Sequence, residues 1–184
     1  EAGGSETESG EKNTATTEEA AFTFGSVFME HNMGIVSIGL DYIPGSVDTE
    51  EQARTDYNQS TPGESANDGG TTSVTNKASV SVSGHISLYA LVPIMDTGAF
   101  IKAAVIRADV ATKENLATGS TYPDATMKGI ASSIGYQHEF GAGFVRAEVG
   151  YSDYQTVKVT SSNGHTVEAD VDGRWGRISI GRTF

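Results

Sequence analysis

Cysteine is absent from this 184-residue chain, so disulfide frameworks, thiol catalysis and cysteine-type zinc sites are excluded together. No apolar run approaches the roughly 18 to 20 residues a membrane helix needs. That excludes a helical span but not a membrane barrel, whose strands show no such run. Basic residues are scarce: 12 Lys and Arg against 24 Asp and Glu leave a formal net charge of −12. Such a balance argues against nucleic acid and against a polybasic membrane tether. The four prolines fall in connections or at strand ends. Neither a starting Met nor a signal-peptide apolar stretch is present, so the chain reads as a mature protein or a fragment.

The charge that is present is unevenly placed. Residues 1–19 hold six glutamates against Lys12, and residues 44–76 hold six acids against Arg54, a net −5 in each. These Gly/Ser/Thr/Glu-rich stretches read as solvated loops. Elsewhere the apolar period is two, not 3.6. In "ASVSVSGHISLYALV", Val80, Val82, Ile86, Leu88, Ala90 and Val92 share one parity, while Ser79, Ser81, Ser83, His85, Ser87 and Tyr89 take the other. Seven such segments lie near 21–30, 34–43, 77–93, 99–110, 128–140, 143–160 and 167–184. Short connections ("HNM", "MDT", "GA") alternate with long ones at about 44–76, 111–127 and 158–168. The pattern predicts an all-β, antiparallel up-and-down meander.

Such a meander can close as a soluble barrel with apolar residues inside, or as an outer-membrane barrel with apolar residues facing lipid. The polar parity mixes Ser, Gly and Ala with a few charges, which suits a narrow packed lumen. The apolar parity ends in aromatics, Tyr42, Tyr136, Phe140 and Tyr151, where interfacial girdles would sit. The expected architecture is therefore a transmembrane barrel over residues 20–184, with 1–19 as an acidic outer loop. Seven strands are visible. Single-chain bacterial barrels have even strand numbers, so an eighth, which would be the first, is expected upstream of Glu1.

The chain ends on Phe184, preceded by Ile180 and Ile178 at alternate positions. This closing pattern resembles that of small eight-stranded Gram-negative outer-membrane barrels (the OmpA barrel, OmpX, OmpW and opacity type). Arg182 stands where that family often has an aromatic or apolar residue. The resemblance implies an integral outer-membrane location, contact with outer-membrane lipid and lipopolysaccharide, and recognition of Phe184 by the barrel-assembly machinery.

Parity places Asp41, His85, Tyr89, Lys102, Gln137, Glu139, Arg146, Glu148 and Arg177 inside. Three carboxylates then meet three cations in an interior only wide enough for side chains, a paired plug rather than a pore lining. Arg146 is expected opposite Gln137 and near Glu139, and Glu148 near Arg177. His85 has Ser83 and Ser87 on its own face and a Glu or Asp could orient it, but serines on a small-residue face read as packing, His165 in its hairpin tip has no acid at a suitable fixed spacing, and no enzyme is expected. Glu168, Asp170 and Asp172 line one strand face and are weak Ca²⁺ candidates; no other cofactor is implied.

Asn163-Gly164 suits a two-residue type I′ turn. Pairing Ser162 with His165 across it sets Asp153 against Arg174, Tyr151 against Gly176, Val149 against Ile178 and Phe184 against Gly143. Arg174 and Arg182 then cap the apolar band at its two ends, with Tyr42, Tyr151, Asp153 and Phe184 at the membrane interfaces. The expected role is a non-enzymatic surface or envelope-structural protein displaying acidic outer loops. Its rivals are a narrow conduit for small solutes and a receptor or adhesin. Lateral self-association or a protein partner at the outer loops completes the expectations.

Overall fold

The computed structural model describes residues 2–8, 11–14, 19–57, 73–116, 119–162 and 164–183. Every described element is a β-strand: β1 (Ala2–Glu8), β2 (Glu11–Thr14), β3 (Val27–Asn32), β4 (Ser37–Asp48), β5 (Gln52–Tyr57), β6 (Ser73–Pro93), β7 (Ala99–Asn115), β8 (Ala125–Phe140), β9 (Gly143–Tyr154), β10 (Val157–Thr160) and β11 (Thr166–Arg182). All pairings are antiparallel, in the order β2-β1-β11-β9-β8-β7-β6-β4-β3, with β10 also on β11 and β5 on β6. Sequential strands lie side by side, as the alternation predicts. Tight turns join one end: Gly141 at φ +60° makes the two-residue turn between Phe140 and Gly143.

The stretches expected as loops carry strands. Residues 1–19 contain β1 and β2, the 44–76 connection contains the end of β4, all of β5 and the start of β6, and β7 runs on to Asn115. Their sequences are polar on both faces, so hydrophobic period does not mark them. The backbone ladder nevertheless continues, helped by exposed pairs such as Lys113–Asp48 (3.1 Å) and Lys77–Glu51 (2.7 Å).

The sheet curls so that strands far apart in its order touch across one enclosed face: Arg146 of β9 meets Glu30 of β3, and Arg177 of β11 meets Asp41 of β4. Among the described residues no backbone ladder joins β3 to β11, so the sheet stays open along those two edges. On the other face, Ile134, Val149 and Ile178 are 62%, 60% and 83% exposed. Along β7 the alternation is strict, with Phe100, Lys102, Ile106 and Ala108 buried between exposed Ile101, Val105, Arg107 and Asp109.

One face assignment is corrected. On β6 the register against β7 shifts between Ser83 and Ile86, and against β4 between Ile43 and Ser46. Against β7 the extra residue is on β6, at Gly84 (φ +60°), where a non-glycine side chain would also meet the Asp109 carboxylate; against β4 it is on β4, at Pro44–Gly45, with Gly45 at φ +92°. The β6 bulge exchanges the two faces. Below it Leu88, Ala90 and Val92 point outward; above it Val80 and Val82, half-buried, pair with Thr112 and Val110 on the enclosed side. Ser79, Ser81 and Ser83 turn outward instead, beside Lys113, Asp48 and Asp109.

The β9–β11 register is corrected as well. Ser161, not Ser162, bonds to His165, its N–H donating to the His165 carbonyl at 2.8 Å, and Gly164 lies at φ +90°. The loop is thus three residues long, 162–164, of which Asn163 lies outside the described residues. A second one-residue offset arises between the β10 pairing (Val157 with Ala169) and the β9 pairing (Asp153 with Asp172). The extra residue sits at Gln155–Thr156. Two offsets restore the parity but move each partner by two: Arg174 faces Tyr151 rather than Asp153, Gly176 faces Val149, and Ile178 faces Ala147. Arg182, with an exposed side chain, occupies the place opposite Gly143 expected for Phe184, which lies outside the described residues.

Candidate functional site

The enclosed face holds two joined charge clusters. The first centres on Arg146 of β9, 1% exposed. Its guanidinium donates to both Glu30 oxygens (3.0 and 3.2 Å) and to the Gln137 side-chain oxygen (3.0 and 2.7 Å). Phe28, Phe100 and Phe144 surround it, with ring centroids 5.1 to 5.7 Å away. This is favourable for a desolvated cation. The Tyr89 hydroxyl donates to Glu30 at 3.0 Å.

The second cluster centres on Glu148, 3% exposed, two positions along β9. It accepts from Arg177 at 2.7 and 3.2 Å and from Ser133 at 3.3 Å, and it is ion-paired to Lys102. Arg177 also pairs with Asp41, and the Lys102 ammonium lies 5.0 Å from the Tyr89 ring centroid and 5.5 Å from that of Trp175. Glu30, Asp41 and Glu148 thus balance Lys102, Arg146 and Arg177. The set is neutral, as burial of six charges requires.

The aromatics reach this centre because the adjacent strand offers glycine. A Cβ on Gly39 would lie 2.2 Å from the Tyr89 ring, and one on Gly150 2.4 Å from the Trp175 ring. Gly135 and Gly181 give the same room to Phe100 and Phe144. Each ring therefore lies flat over a neighbouring strand instead of standing upright into the space the ion pairs fill.

Arg146 sits opposite Gln137 and shares a face with Glu139, as the short turn predicts. Its ionic partner, however, is Glu30. Glu139 is exposed near the turn and, among the described residues, accepts a bond from Gln137 alone, at 3.1 Å. Glu30, at the end of the expected 21–30 segment, is not among the interior charges that parity assigns. A signal was available: Phe28, Glu30 and Asn32 alternate with Val27, Met29 and His31. His85 stands above the clusters, half-buried, with Nε2 3.3 Å from the Tyr154 hydroxyl and Nδ1 buried without a hydrogen-bond partner among the described residues. No described serine bonds to it.

The Ca²⁺ candidates do not converge. Glu168 pairs with Lys158 at 2.6 Å, Asp170 accepts from Thr156, and Asp172 accepts from Tyr151 at 2.8 Å. Alternate residues on a strand are about 6.6 Å apart, too far for all three to share one ion. Among the described residues no group of three or more potential ligands gathers. Tyr42, Tyr151, Asp153 and Arg174 lie on the exposed face.

No family model matches the chain, and neither a curated protein nor a solved structure does so.

Proposed function

We propose that the protein is a small integral outer-membrane β-barrel whose role is structural and surface-displaying rather than catalytic. The observation that carries this reading is the inverted polarity of the sheet: six charged side chains turn to the enclosed face while Ile101, Val105, Ile130, Ile134, Val149, Ile178 and Ile180 stand exposed. Soluble monomers rarely expose a contiguous apolar surface of that extent, and lipid is the solvent that removes the cost. The belt also ends where water would begin. Outward residues change from Val105 to Arg107, from Ile130 to Lys128 and from Tyr151 to Asp153, and the Gly84 bulge reverses β6 near the same level.

The open edges fit closure by one further strand. β1 pairs with the upper part of β11 through Ala2 and Val171. A strand entering through that register would run along residues 172–182, whose second edge is free among the described residues. In lipid each backbone group left unpaired there would cost several kcal/mol.

The neutral, hydrogen-bonded plug favours a structural role over the solute-conduit reading. Acidic hairpins above the belt (β1–β2 and the β4–β5 connection) are the surface available to a receptor or adhesin role, to lipopolysaccharide through divalent ions, or to self-association. Phe184 is the proposed contact for barrel assembly. The test is reconstitution into liposomes: a heat-modifiable gel band, belt residues protected from protease, and no single-channel conductance support the reading. A soluble monomer that ignores bilayers refutes it.

A further inference from the structure

Two cations face each other on the outer surface of the sheet. Arg107 of β7 and Lys128 of β8 are direct partners in the antiparallel register, and both side chains are exposed. Like charges placed opposite each other in this way, with Cβ atoms about 5 Å apart, destabilise a strand pair. Lys77, Lys102, Lys113 and Lys158 are each ion-paired to a carboxylate. Lys128 has no such pair among the described residues, and its register partner is a second cation. One step down the strands the surface turns apolar: Val105 faces Ile130 and Leu88 faces Val105, and these three are 57%, 61% and 51% exposed. The two cations therefore stand directly on the edge of the belt, at the end from which the acidic hairpins rise.

The acids nearby offset this pair only in part. Arg107 reaches Asp109, two positions along β7, through a single contact at 3.5 Å, the outer limit of a hydrogen bond. The Asp109 carboxylate leans toward β6, away from Lys128: its Oδ2 would stand 2.9 Å from a Cβ on Gly84. Asp153 of β9 lies opposite Ile130 and so diagonal to Lys128, and Arg174 of β11 stands beside it and Asp172. The space between the Arg107 and Lys128 heads is left to an anion.

Resting on the membrane reading, we infer that Arg107 and Lys128 form a site for the phosphate monoester of an outer-leaflet lipid, the phosphate chemistry of lipopolysaccharide, with no bridging metal ion. Arg107 offers a planar fork of donors and Lys128 a point charge from the facing strand. A phosphate between them turns a repulsive pair into two charge-assisted contacts. A monoester carries about −1.5 to −2 near neutral pH, which matches two cations, whereas a singly charged phosphodiester satisfies one. The acyl chains then run down over Val105, Ile130 and Leu88. The acidic hairpins need a divalent ion to meet the same lipid; this pair does not.

The test is lipid retention with metal removed. The full chain is folded into phosphatidylglycerol bilayers containing bisphosphorylated lipid A, extracted in mild detergent with EDTA, and its bound lipid counted by native mass spectrometry. Wild type should keep one lipid A in preference to phosphatidylglycerol, and should not keep lipid A stripped of its phosphates. Arg107→Gln and Lys128→Gln should each lower retention about tenfold, the loss of one charge-assisted contact, while Lys128→Arg preserves it. Lys113→Gln, which removes an outward cation already paired with Asp48, should leave retention unchanged. Lys128→Glu separates binding from folding: an ion pair with Arg107 replaces the repulsion, so the lipid-free chain should withstand more urea yet lose lipid A. Retention that EDTA abolishes in wild type, equal retention of phosphatidylglycerol, a loss in Lys113→Gln as large as in Lys128→Gln, or unchanged retention in a folded double variant of Arg107→Gln with Lys128→Gln would overturn the inference while leaving the barrel reading intact. A wild-type chain that never enters the bilayer would overturn both.

Discussion

Glu148→Gln is the sharpest probe of the enclosed charges. The substitution keeps the shape of a side chain that is 0% exposed but removes the charge to which Lys102 and Arg177 are both paired. Arg177 retains Asp41; Lys102, itself 7% exposed, loses its ion-pair partner and keeps the Tyr89 and Trp175 rings and the more distant Asp41 charge. Stranding a buried charge in this way costs about 3–5 kcal/mol. Glu139→Gln is the matched control, because that exposed carboxylate holds a single bond from Gln137 and its loss should stay within about 0.5 kcal/mol. The two variants should thus differ by roughly 100-fold or more in unfolding equilibrium. Trp175, the only tryptophan, packs over Gly150 beside Lys102 and reports the loss directly in a reversible urea titration. Adding Lys102→Met to Glu148→Gln should recover part of the cost, since it removes the cation left behind. If Glu148→Gln is no more destabilising than Glu139→Gln, the buried network does not hold the fold and the enclosed charges are not a structural plug.

Gly150→Ala should cost about 1–3 kcal/mol and change Trp175 emission, because the new methyl collides with the ring; an unshifted spectrum with full stability would refute the stacking. A double-mutant cycle should couple Arg146 to Glu30 by about 1.5 kcal/mol or more and Arg146 to Glu139 by almost nothing; the reverse pattern would restore the partner expected from sequence. Deleting Gly84 should remove the extra residue and leave β6 alternating without a break, with Val82 still opposite Val110 and residues 73–83 still protected from protease along β7, whereas loss of that protection would mean that Gly84 is not the single inserted residue. The Asp48 carboxyl is held below the usual 3.8 by the Ser81 hydroxyl and then by Lys113, so its contribution is complete above about pH 3.8 and disappears as pH falls through the lower folded value. Hydrogen exchange near Ser81 should therefore stay flat from pH 7 down to about 4, relative to the intrinsic rate, and loosen only below; loosening already at pH 6 would refute the assignment.

The sheet itself was legible because period-two alternation survives wherever one face is apolar, as on β7, where every second residue from Phe100 to Ala108 is buried or half-buried. What escaped has specific causes. The polar continuations above the belt lack a hydrophobic face, so β1, β2 and β5 resembled loops. The Gly84 bulge was hidden because Val80 and Val82 keep an even count with Leu88 across a residue that adds one step. At the 162–164 turn, Asn-Gly fits a two-residue loop by composition, but the glycine takes the left-handed position of a three-residue one. Its offset was then cancelled in parity at Gln155–Thr156, leaving every face correct and every partner displaced. The charge clusters were largely visible as polar residues of the right parity. Glu30 could be assigned only once curling brought β3 across to β9, a contact 116 residues apart in sequence.

The absence of native cysteine makes single-site spin labelling the most direct test of the membrane-facing belt. Labels at positions 105, 134, 149 and 178, in chains reconstituted into bilayers, should be accessible to oxygen and shielded from a water-soluble nickel relaxant. Labels at 83, 109 and 113 should show the opposite, with the crossover on β7 falling between 105 and 107. Equal exposure of both sets to the aqueous reagent, or a crossover absent from β7, would contradict the account.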